Sequence, residues 1–538
     1  MKKQIGLVPI AALVVAGMGV GRAGAQSRSE LERASVDKRQ DLGYMFEDRR
    51  DGMLTFSVPA TAVDGFGDGP FDGDPDNTVP AGHRPTLQGN GTFLRVNGLD
   101  AQSCNECHTI VRQSTEPPTL GIGGVGGLVQ SAIILPSMID VADSQDDRTR
   151  YAGGHDPDIG MSFDGSADFN GRLANPPFLF GGGGVEALGK EMTANLQRVL
   201  RRARRAPPGT IHPLDTHGVS FGFVVAQGGG EVSLSPEGIG PEHIEGVAPE
   251  DVLVVRPFGR KGENPSMRDF DRGAMQFHFG RQPVEVVGPG VDPDGDGVVD
   301  EVTVETMQNL HVFDVTNPRP FMEKLNGRAA RGFEWFKSLG CASCHRPLMQ
   351  TRSNRLPLAH PEVFTDPDAN VYRKIKLTDV GFVSAPHGGV YVPLFSDLKR
   401  HDMGPRLAET FERGEIPNSH FITARLWGIA DTAPYLHDGR ALTLFDAIEM
   451  HGGEAQAVRD AFLGLSSAAR GELLEFLGKL RTPVNPNEDL VTRPWRAGVS
   501  YTVGQVVNYE GQSYECRQSH VSQVDWTPPA TPALWLVR

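Results

Sequence analysis

The sequence predicts a mainly α protein with two domains that carry long loops, followed by a small all-β module at the C-terminus. Gly and Pro are abundant, 65 and 40 of 538 residues, so helices should be joined by long loops rather than packed as a compact bundle. An apolar content of 39% is enough for buried cores. The C-terminal segment 495–538 differs from the rest, because its aromatic residues alternate with polar ones as in short paired strands.

A Cys-x-x-Cys-His run occurs twice, at residues 104–108 and 341–345. This run is the attachment signature of c-type haem, in which two thiols bind the porphyrin and the histidine reaches the iron as proximal ligand. A redox dithiol or half of a zinc site is the alternative for a single run. Two runs, in a chain whose only other cysteine is Cys516, favour two covalent haem c groups. The haem-binding residues are then Cys104, Cys107, His108, Cys341, Cys344 and His345.

The N-terminus has the pattern of a secretory signal. Lys2 and Lys3 precede an apolar run over 5–20 and a small-residue triplet at 23–25, so cleavage is expected after Ala25. The run is too short and too rich in Gly for a stable membrane span. The mature protein is therefore expected to be periplasmic or secreted, with no membrane span. A net charge of −15 argues against nucleic acid or an anionic membrane as its partner.

The length is that of several domains, since a domain typically has about 100–200 residues. The expected divisions are a signal peptide (1–25), an N-terminal arm (26–95), a first haem domain (96–290), a calcium-loop connector (291–327), a second haem domain (328–481), a linker (482–494) and the C-terminal module (495–538). The arm is polar and lacks a sustained period, so we interpret it as a covering segment without chemistry of its own.

The connector holds an acidic loop. Carboxylates at loop positions one, three and five, with Gly at position six, match the start of a calcium loop, because alternate oxygens converge on one hard cation. Position twelve is Thr303, where an EF-hand needs a bidentate Glu, so a shorter, repeat-like calcium site is expected. A simple acidic turn is the alternative. The candidate calcium residues are Asp292, Asp294, Asp296, Val298 and Asp300.

Four glycines at 181–184 permit a close approach of the backbone to something flat or bulky, and a helix is expected after them. Glu186 would lie in the first turn of that helix. A carboxylate there is favoured by the helix dipole alone, so it needs no further role. The other interpretation of Glu186 is an acid in the haem pocket.

Residues 433–454, together with the two Cys-x-x-Cys-His motifs, resemble the bacterial di-haem cytochrome c peroxidase superfamily. Residues 97–108, 172–188 and 277–280 are similar to its larger di-haem oxidoreductase, or thiol oxidoreductase, branch. The resemblance covers roughly residues 95–482. It implies that the N-terminal haem meets peroxide and that the C-terminal haem supplies an electron.

The resemblance also assigns iron ligands. It implies that His108 and His345 are proximal ligands, and it places the distal ligand of the second haem at His451, in the helix after the motif at 435–439. Met450 is one residue away and is the alternative distal ligand. A His/His haem would have a lower potential than a His/Met haem.

For the first haem, the resemblance implies a distal Glu that handles peroxide protons. Glu186 is the first match and Glu191 the second. The peroxidases have a Trp between their haems, whereas no Trp occurs here before Trp335. Electrons need another route, and an oxygenase of the same fold stays open.

The C-terminal segment resembles the chitin-binding type 3 carbohydrate-binding modules of families 5 and 12. The resemblance implies binding to chitin or a related polysaccharide through exposed rings, for which Trp526, Tyr501 and Tyr514 are the candidates. Trp495 and Trp535 are expected in the core. The whole sequence therefore indicates an exported, peroxidase-like oxidoreductase with an exported redox partner. The alternative is an electron-transfer cytochrome that serves a polysaccharide-active oxidase.

Overall fold

The computed structural model describes residues 28–35, 46–67, 103–104, 107–108, 133–135, 172–241, 244–292, 295–366, 368–409, 416–483, 493–509 and 512–537. Its α-helices are α1 (Arg28–Ala34), α2 (Phe46–Ser57), α3 (Gly182–Ala203), α4 (Pro249–Val252), α5 (Met267–Phe279), α6 (Val284–Val287), α7 (Val304–Thr316), α8 (Gly327–Ser338), α9 (Leu444–Glu449), α10 (Gln456–Leu463) and α11 (Ser467–Leu477). None of these helices is long and apolar enough to cross a lipid bilayer.

The strands of the described residues form small, mostly antiparallel sheets. They are β1 (Ile133–Leu135), β2 (Arg172–Ala174), β3 (Ile211–Thr216), β4 (Val219–Gly228), β5 (Glu231–Pro236), β6 (Phe321–Met322), β7 (Met349–Gln350), β8 (Arg355–Ala359), β9 (Val371–Lys376), β10 (Val383–Ser384), β11 (Val390–Val392), β12 (Arg400–Asp402), β13 (His420–Ile422), β14 (Leu480–Arg481), β15 (Arg493–Pro494), β16 (Ser500–Tyr501), β17 (Val506–Tyr509), β18 (Gln512–Cys516), β19 (His520–Val521) and β20 (Trp535–Val537). The strand orders are β1-β2, β3-β4-β5, β8-β9, β10-β11-β7, β12-β13, β14-β6, β15-β17-β18-β20 and β16-β19.

The expectation of a mainly α protein is not confirmed, because only 34% of the structure is helical. The largest feature that the sequence analysis did not predict is the β3-β4-β5 sheet inside the predicted first haem domain. Its turns follow from local chemistry. His217 and Gly218 have positive φ angles of 50° and 76°, as the tight turn between β3 and β4 requires. Buried and exposed residues alternate along β4, which is the period of a half-buried strand.

Several helices begin at side-chain caps. The hydroxyl of Ser266 accepts a hydrogen bond from the Asp269 N–H at the start of α5, and Thr303 does the same for Thr306 at the start of α7. Each cap satisfies a backbone donor that has no partner within its helix. The two caps fix where α5 and α7 begin, and these helices enclose the first Cys-x-x-Cys-His motif.

The largest hydrophobic core crosses the predicted boundary between the haem domains. Leu188 and Leu196 of α3 and Phe221 of β4 are fully buried in one cluster with Leu356 of β8 and Val392 of β11. Residues 349–398 of the predicted second domain therefore pack against the predicted first domain. The division at 291–327 separates the two motifs in sequence but not two independent cores.

The N-terminal arm contributes to packing rather than only covering the surface. Leu31 of α1 is fully buried in the core that α8 and α11 form around Phe333 and Phe476. Phe56 of α2 is 1% exposed and packs in a cluster that contains Cys107. The arm thus reaches the cores beside both haem motifs.

Helix α3 begins at Gly182, so the glycines belong to the helix and Glu186 lies in its second turn, not its first. The predicted close approach is real. A Cβ atom at Gly183 would overlap the Val315 carbonyl of α7, and one at Gly184 would overlap the Phe382 ring. The missing side chains let α3 pack directly on the C-terminal end of α7.

Substituting Gly183 by Ala should therefore destabilise the protein. Overpacking of this kind costs about 1–3 kcal/mol, and the Val315 backbone is part of α7 and cannot yield. Gly273→Ala is the matched control, because Gly273 is also helical, yet nothing lies within 4 Å of its added Cβ. The control should gain roughly 0.5–1 kcal/mol. Denaturant unfolding followed by circular dichroism measures both; a Gly183→Ala midpoint at or above the original one would contradict the close packing.

Candidate functional site

Both Cys-x-x-Cys-His motifs form a tight helical turn. The His108 N–H donates to the Cys104 carbonyl (2.8 Å), and the His345 N–H donates to the Cys341 carbonyl (2.9 Å). Residues three and four apart share one side of such a turn. Each motif thus directs its two sulfurs and its imidazole toward the same space, as covalent haem attachment requires.

One thiol of each motif, Cys104 and Cys341, has a pKa raised above its usual value. Burial raises the pKa of the Cys341 thiol to about 11. Burial, assisted by the nearby Asp314 and Asp271 carboxyl groups, also raises the pKa of Cys104 well above its usual value. Reactive dithiols have depressed thiol pKa values. This property weighs against the dithiol alternative for both motifs.

A cavity of about 350 Å³ adjoins the second motif. Its wall contains Cys341, Cys344 and His345 on one side and His451 on the other. The ring centroids of His345 and His451 lie 6.4 Å apart. A metal ion held between two imidazoles by bonds of about 2 Å would separate the ring centroids by roughly 6 Å. The two rings are spaced for a shared metal.

The hydrogen bonds of these two histidines select the same tautomer. Nδ1 of His345 donates to the carbonyl oxygens of Phe395 (3.2 Å) and Ala424 (3.1 Å), and Nδ1 of His451 donates to that of Ala447 (2.8 Å). Nε2 of each ring is then free of a proton, which is the arrangement that second-shell carbonyls impose on metal-binding histidines. Burial also lowers the pKa of His345 to about 4, so its ring is neutral.

Arg425 is a half-buried cation of the same cavity wall, and its Nη1 atom is buried. Its Nη2 donates to the Phe178 carbonyl (3.2 Å), but its Nη1 has no hydrogen-bond partner among the described residues. Burial lowers the pKa of Arg425 to about 10, and no described carboxylate contributes to that shift. A buried guanidinium without an anion is costly. A haem propionate would supply the missing anion, so the residues of this cavity fit a haem.

The other candidate ligands near this cavity are less suitable. Met450 packs with the Tyr435 and Ala447 cluster and is not part of the cavity wall. His401 has both ring nitrogens in hydrogen bonds, to Asp397 (2.9 Å) and Glu454 (2.7 Å). Although burial opposes the charged form, the Asp397 carboxylate and the Cys344 sulfur raise the pKa of His401 to about 11. An imidazolium that donates a hydrogen bond from each ring nitrogen has no lone pair with which to bind iron.

The first motif lies among α2, α5 and α7. Cys107 packs with Phe56 of α2, Met275 of α5 and Phe313 of α7. The His108 ring meets the Phe270 ring edge-on, with centroids 6.5 Å apart. Burial, with the nearby His278, lowers the pKa of His108 to about 4, so this imidazole too is neutral and suited to a metal.

Glu186 is fully buried and fully paired. Its carboxylate accepts hydrogen bonds from the Lys190 ammonium (2.7 Å), from Nε2 of His311 (3.0 Å) and from the Met267 backbone N–H (3.0 Å). Burial opposes its charge, but Lys190 and His311 outweigh burial and hold the pKa of Glu186 far below its ordinary value. Its catalytic role stays a prediction, and in this structure it anchors α3 to α5 and α7.

Glu191 does not join Glu186. Five residues further along a helix with 3.6 residues per turn, its side chain points to a different face. Its carboxylate accepts hydrogen bonds from the backbone N–H groups of Arg352 (2.8 Å) and Ser353 (2.9 Å), and it contacts Nε2 of His217 (3.2 Å). Its contacts are those of a residue that fixes the loop before β8.

Sequence reasoning missed two acids near the first motif. Asp271 of α5 and Asp314 of α7 are buried, and both act on Cys104. The available signal was spacing: Asp271 precedes Met275 by one helical turn and Asp314 follows Leu310 by one turn, so each acid shares a face with an apolar residue.

The acidic loop of the connector is folded onto its own backbone. The carboxylates of Asp292, Asp296 and Asp300 accept hydrogen bonds of 2.7–3.0 Å from amides of the same loop. Asp294 lies outside the described residues. Thr303, where an EF-hand would carry Glu, is the N-cap of α7. Calcium binding stays a prediction.

The aromatic residues of the C-terminal module divide into core and surface. Tyr501, Tyr514 and Trp535 are 2%, 7% and 2% exposed and form its core. The assignment of Tyr501 and Tyr514 as sugar-binding residues is therefore corrected: the alternation of their strands directs both rings inward. Trp526 is only partly buried, 6.3 Å from the His520 ring, so a face of it can meet a ligand.

Two family models match the chain. Residues 284–480 match the family described as "Di-haem oxidoreductase, putative peroxidase", and residues 494–536 match carbohydrate-binding module family 5/12. The first match contains the second haem motif. The first motif lies outside it.

Curated relatives resemble only a short part of the chain. Chitinase A1 of Niallia circulans is 46% identical over 41 residues, which are 8% of this chain and 6% of the relative. Streptogrisin-C of Streptomyces griseus is 42% identical over 58 residues, 10% of this chain and 13% of the relative. The chain thus spans a small fraction of the length of these relatives.

Two solved structures are weakly similar. Hydrazine synthase of Kuenenia stuttgartiensis, pressurised with xenon, has a TM-score of 0.23 and 17% identity, covering 52% of this chain and 78% of that chain. A MauG-like protein associated with microbial copper homeostasis has a TM-score of 0.21 and 16% identity, covering 41% and 68%. Both likenesses are weak, and the assignment rests on the family matches.

The family matches divide the chain into an oxidoreductase-like segment and a carbohydrate-binding module. More particularly, residues 284–480 are a di-haem oxidoreductase segment related to peroxidases, and residues 494–536 are a family 5/12 module.

Glu186→Gln should destabilise the protein at neutral pH. Removing one partner of a buried charge pair costs about 3–5 kcal/mol, here because His311 loses its anion and Lys190 keeps only its ion pair with Glu362 (2.6 Å). The control is Glu250→Gln, which removes a half-exposed pair with Arg204 at the other end of α3 and should cost about 1 kcal/mol or less.

The loss of stability in Glu186→Gln should become smaller as the pH falls. Since folding lowers the pKa of Glu186, its stabilisation is complete above its ordinary value of 4.5 and disappears as the pH falls below it. Denaturant midpoints of both proteins, measured across that range, provide the test. A difference that grows toward acid pH would show that Glu186 is not an ionised, paired group.

Proposed function

We propose that this chain is an exported di-haem c-type cytochrome that reduces peroxide while bound to chitin or a related polysaccharide. The observation that carries the proposal is the pair of imidazoles, His345 and His451, facing each other across the cavity that also contains Cys341 and Cys344. Reduction of one peroxide to two water molecules consumes two electrons and two protons. An exported one-electron redox protein is the partner that would provide the electrons.

The chain offers residues for each part of the second centre. His345 would be the proximal ligand and His451 the distal ligand, each with Nδ1 held by a carbonyl. Arg425 would pair with a propionate. At the first centre, His108 would be the proximal ligand and Cys104 and Cys107 the attachment points. Bound haem would supply one-electron redox chemistry at both places.

A short segment connects the two centres. Pro177 lies beside His108 and also lines the second cavity, while Phe178 accepts a hydrogen bond from Arg425 through its carbonyl (3.2 Å). The guanidinium of Arg425 also lies 5.7 Å from the centroid of the Phe178 ring. We propose this segment as the electron route that replaces the missing tryptophan.

Export and targeting rest on sequence and family. The signal-like residues 1–25 lie outside the described residues. Attachment of haem c follows translocation, and a family 5/12 module suits an insoluble polysaccharide outside the cell. The alternative, an electron carrier for a polysaccharide-active oxidase, is favoured by one feature, since two imidazoles leave no open position on the second iron.

His451→Ala should remove the distal ligand of the second haem and produce a high-spin component in its ferric spectrum. Met450→Ala is the matched control, because Met450 lies next in sequence but outside the cavity wall, and it should leave the spectrum low-spin. Intact mass should show two covalent haems in both variants. A spectrum that changes in Met450→Ala and not in His451→Ala would reverse the ligand assignment.

Trp526→Ala should abolish retention of the full chain on chitin. Stacking of a flat ring on a sugar depends on apolar contact rather than charge, so added salt should change binding of the original protein little. Trp495→Phe is the control, since Trp495 packs edge-on against Tyr509 (5.4 Å) within the module. Pull-down on chitin beads measures both; retained binding by Trp526→Ala would move the sugar surface elsewhere.

A further inference from the structure

Two carboxyl groups meet in the interior between α5 and α7. Asp271 is 6% exposed and Asp314 is 1% exposed, and the two carboxyl groups lie close enough to act on each other's protonation. Oδ2 of Asp271 and Oδ1 of Asp314 have no hydrogen-bond partner in the described part of the chain. Buried polar atoms without partners are rare and costly. This acidic pair therefore needs either a proton or a partner that the protein itself does not supply.

The acidic pair lies at the first haem motif. Met275, one turn after Asp271, and Leu310, one turn before Asp314, both pack in the cluster that contains Cys107. The carboxyl groups also act directly on Cys104, whose pKa burial and both aspartates raise. The faces of α5 and α7 that carry the pair are thus the faces that enclose the attachment cysteines.

The charges around the acidic pair do not neutralise it. Arg268 of α5 is the cation that acts on Asp271, whereas Glu186 of α3 repels both members. Lys190 and His311 are bonded to Glu186 instead. Two adjacent carboxyl groups in such a site cannot both ionise. Burial, with repulsion by Glu186, raises the pKa of Asp314 to about 8, and burial and Asp314 raise that of Asp271 well above its ordinary value.

We propose that Asp271 and Asp314 share a proton at neutral pH and are the proton donor for the peroxide reduced at the first haem site. The proposal rests on the proposed function. In each turnover the pair would give one of the two protons to a peroxide oxygen and regain it from water. The second proton comes from solvent, and both electrons come from the exported redox protein. Glu186, which is ionised and fully paired, holds no proton to give.

The first test is the infrared spectrum of the full-length holoprotein. A shared proton gives a carbonyl-stretch band of a protonated carboxylic acid that shifts in deuterium oxide. This band should appear in the original protein at neutral pH, shift in frequency in Asp271→Asn and in Asp314→Asn, where the remaining acid loses its partner, and disappear in the double variant. Asp269→Asn is the matched control, because Asp269 lies on the same helix but pairs with Arg272 nearer the surface, and it should keep the band.

The second test is the pH dependence of stability. Because folding raises the pKa of Asp314 from 3.8 to about 8, its stabilisation is complete at acid pH and is lost as the pH rises through about 8. Unfolding midpoints of the original protein should therefore fall over this range, and those of Asp314→Asn should fall less. Peroxide turnover should drop about 10²-fold or more in each pair variant, the size of a general acid contribution.

The outcomes separate the two proposals. No acid band in the original protein, or a band whose frequency is the same in both pair variants, overturns the shared proton, and the original protein alone decides this if the variants fail to fold. If the original protein shows the acid band but the pair variants reduce peroxide as fast as Asp269→Asn does, the donor role is overturned. A band in a protein that does not consume peroxide overturns the proposed function and leaves the shared proton standing.

Discussion

The close packing of α3 on α7 is the constraint on which the arrangement around the first motif depends. Two glycines of α3 let its first turn rest on backbone carbonyls of α7: a Cβ at Gly182 would lie 3.2 Å from the Asp314 oxygen, and Gly183 faces that of Val315. With the axes this close, Glu186 reaches His311 on α7 (3.0 Å). The same helix presents Asp314 to α5 and Phe313 to Cys107. One steric condition therefore positions Glu186 and Asp314 near the first haem motif.

The protein buries its acids in two different ways, and the difference has chemical meaning. Glu186 has an ammonium, an imidazole and a backbone amide, so its charge is compensated where it lies. Asp271 and Asp314 have each other and leave two oxygens unpaired. A compensated carboxylate is a structural tie, because losing its charge would leave His311 without its anion and Lys190 with Glu362 alone. An uncompensated pair favours a bound proton and can release it when a stronger demand appears nearby.

Local signals in the sequence predicted much of the site. The motif at 341–345 depends on a short spacing and His451 was implied by the family resemblance, and the structure brings these residues to one cavity. Contacts between residues far apart in the sequence could not be predicted from local patterns. Nothing local tells that residues 349–398 share a core with α3, or that Asp271 meets Asp314 across two helices.

The corrected aromatic residues teach the same lesson at smaller scale. Alternation identified strands in the C-terminal module but not which face of them is inside. Tyr501 and Tyr514 are buried because β16 and β18 turn those positions toward Trp535. A strand pattern alone is symmetric between its two faces, so burial had to come from the pairing of strands.

On our proposals, electron and proton delivery are coupled through charge. Two imidazole ligands would give the second centre a lower potential than a His/Met pair would, whereas the positive charge of Arg425 would favour the reduced state by stabilising an added negative charge. Arg425 is also the residue that contacts Phe178. At the first centre, protonation of the acidic pair removes a negative charge beside the cysteines and so reduces the electrostatic repulsion of an arriving electron. Giving up that proton restores the charge, which makes a second electron harder to add until water refills the pair.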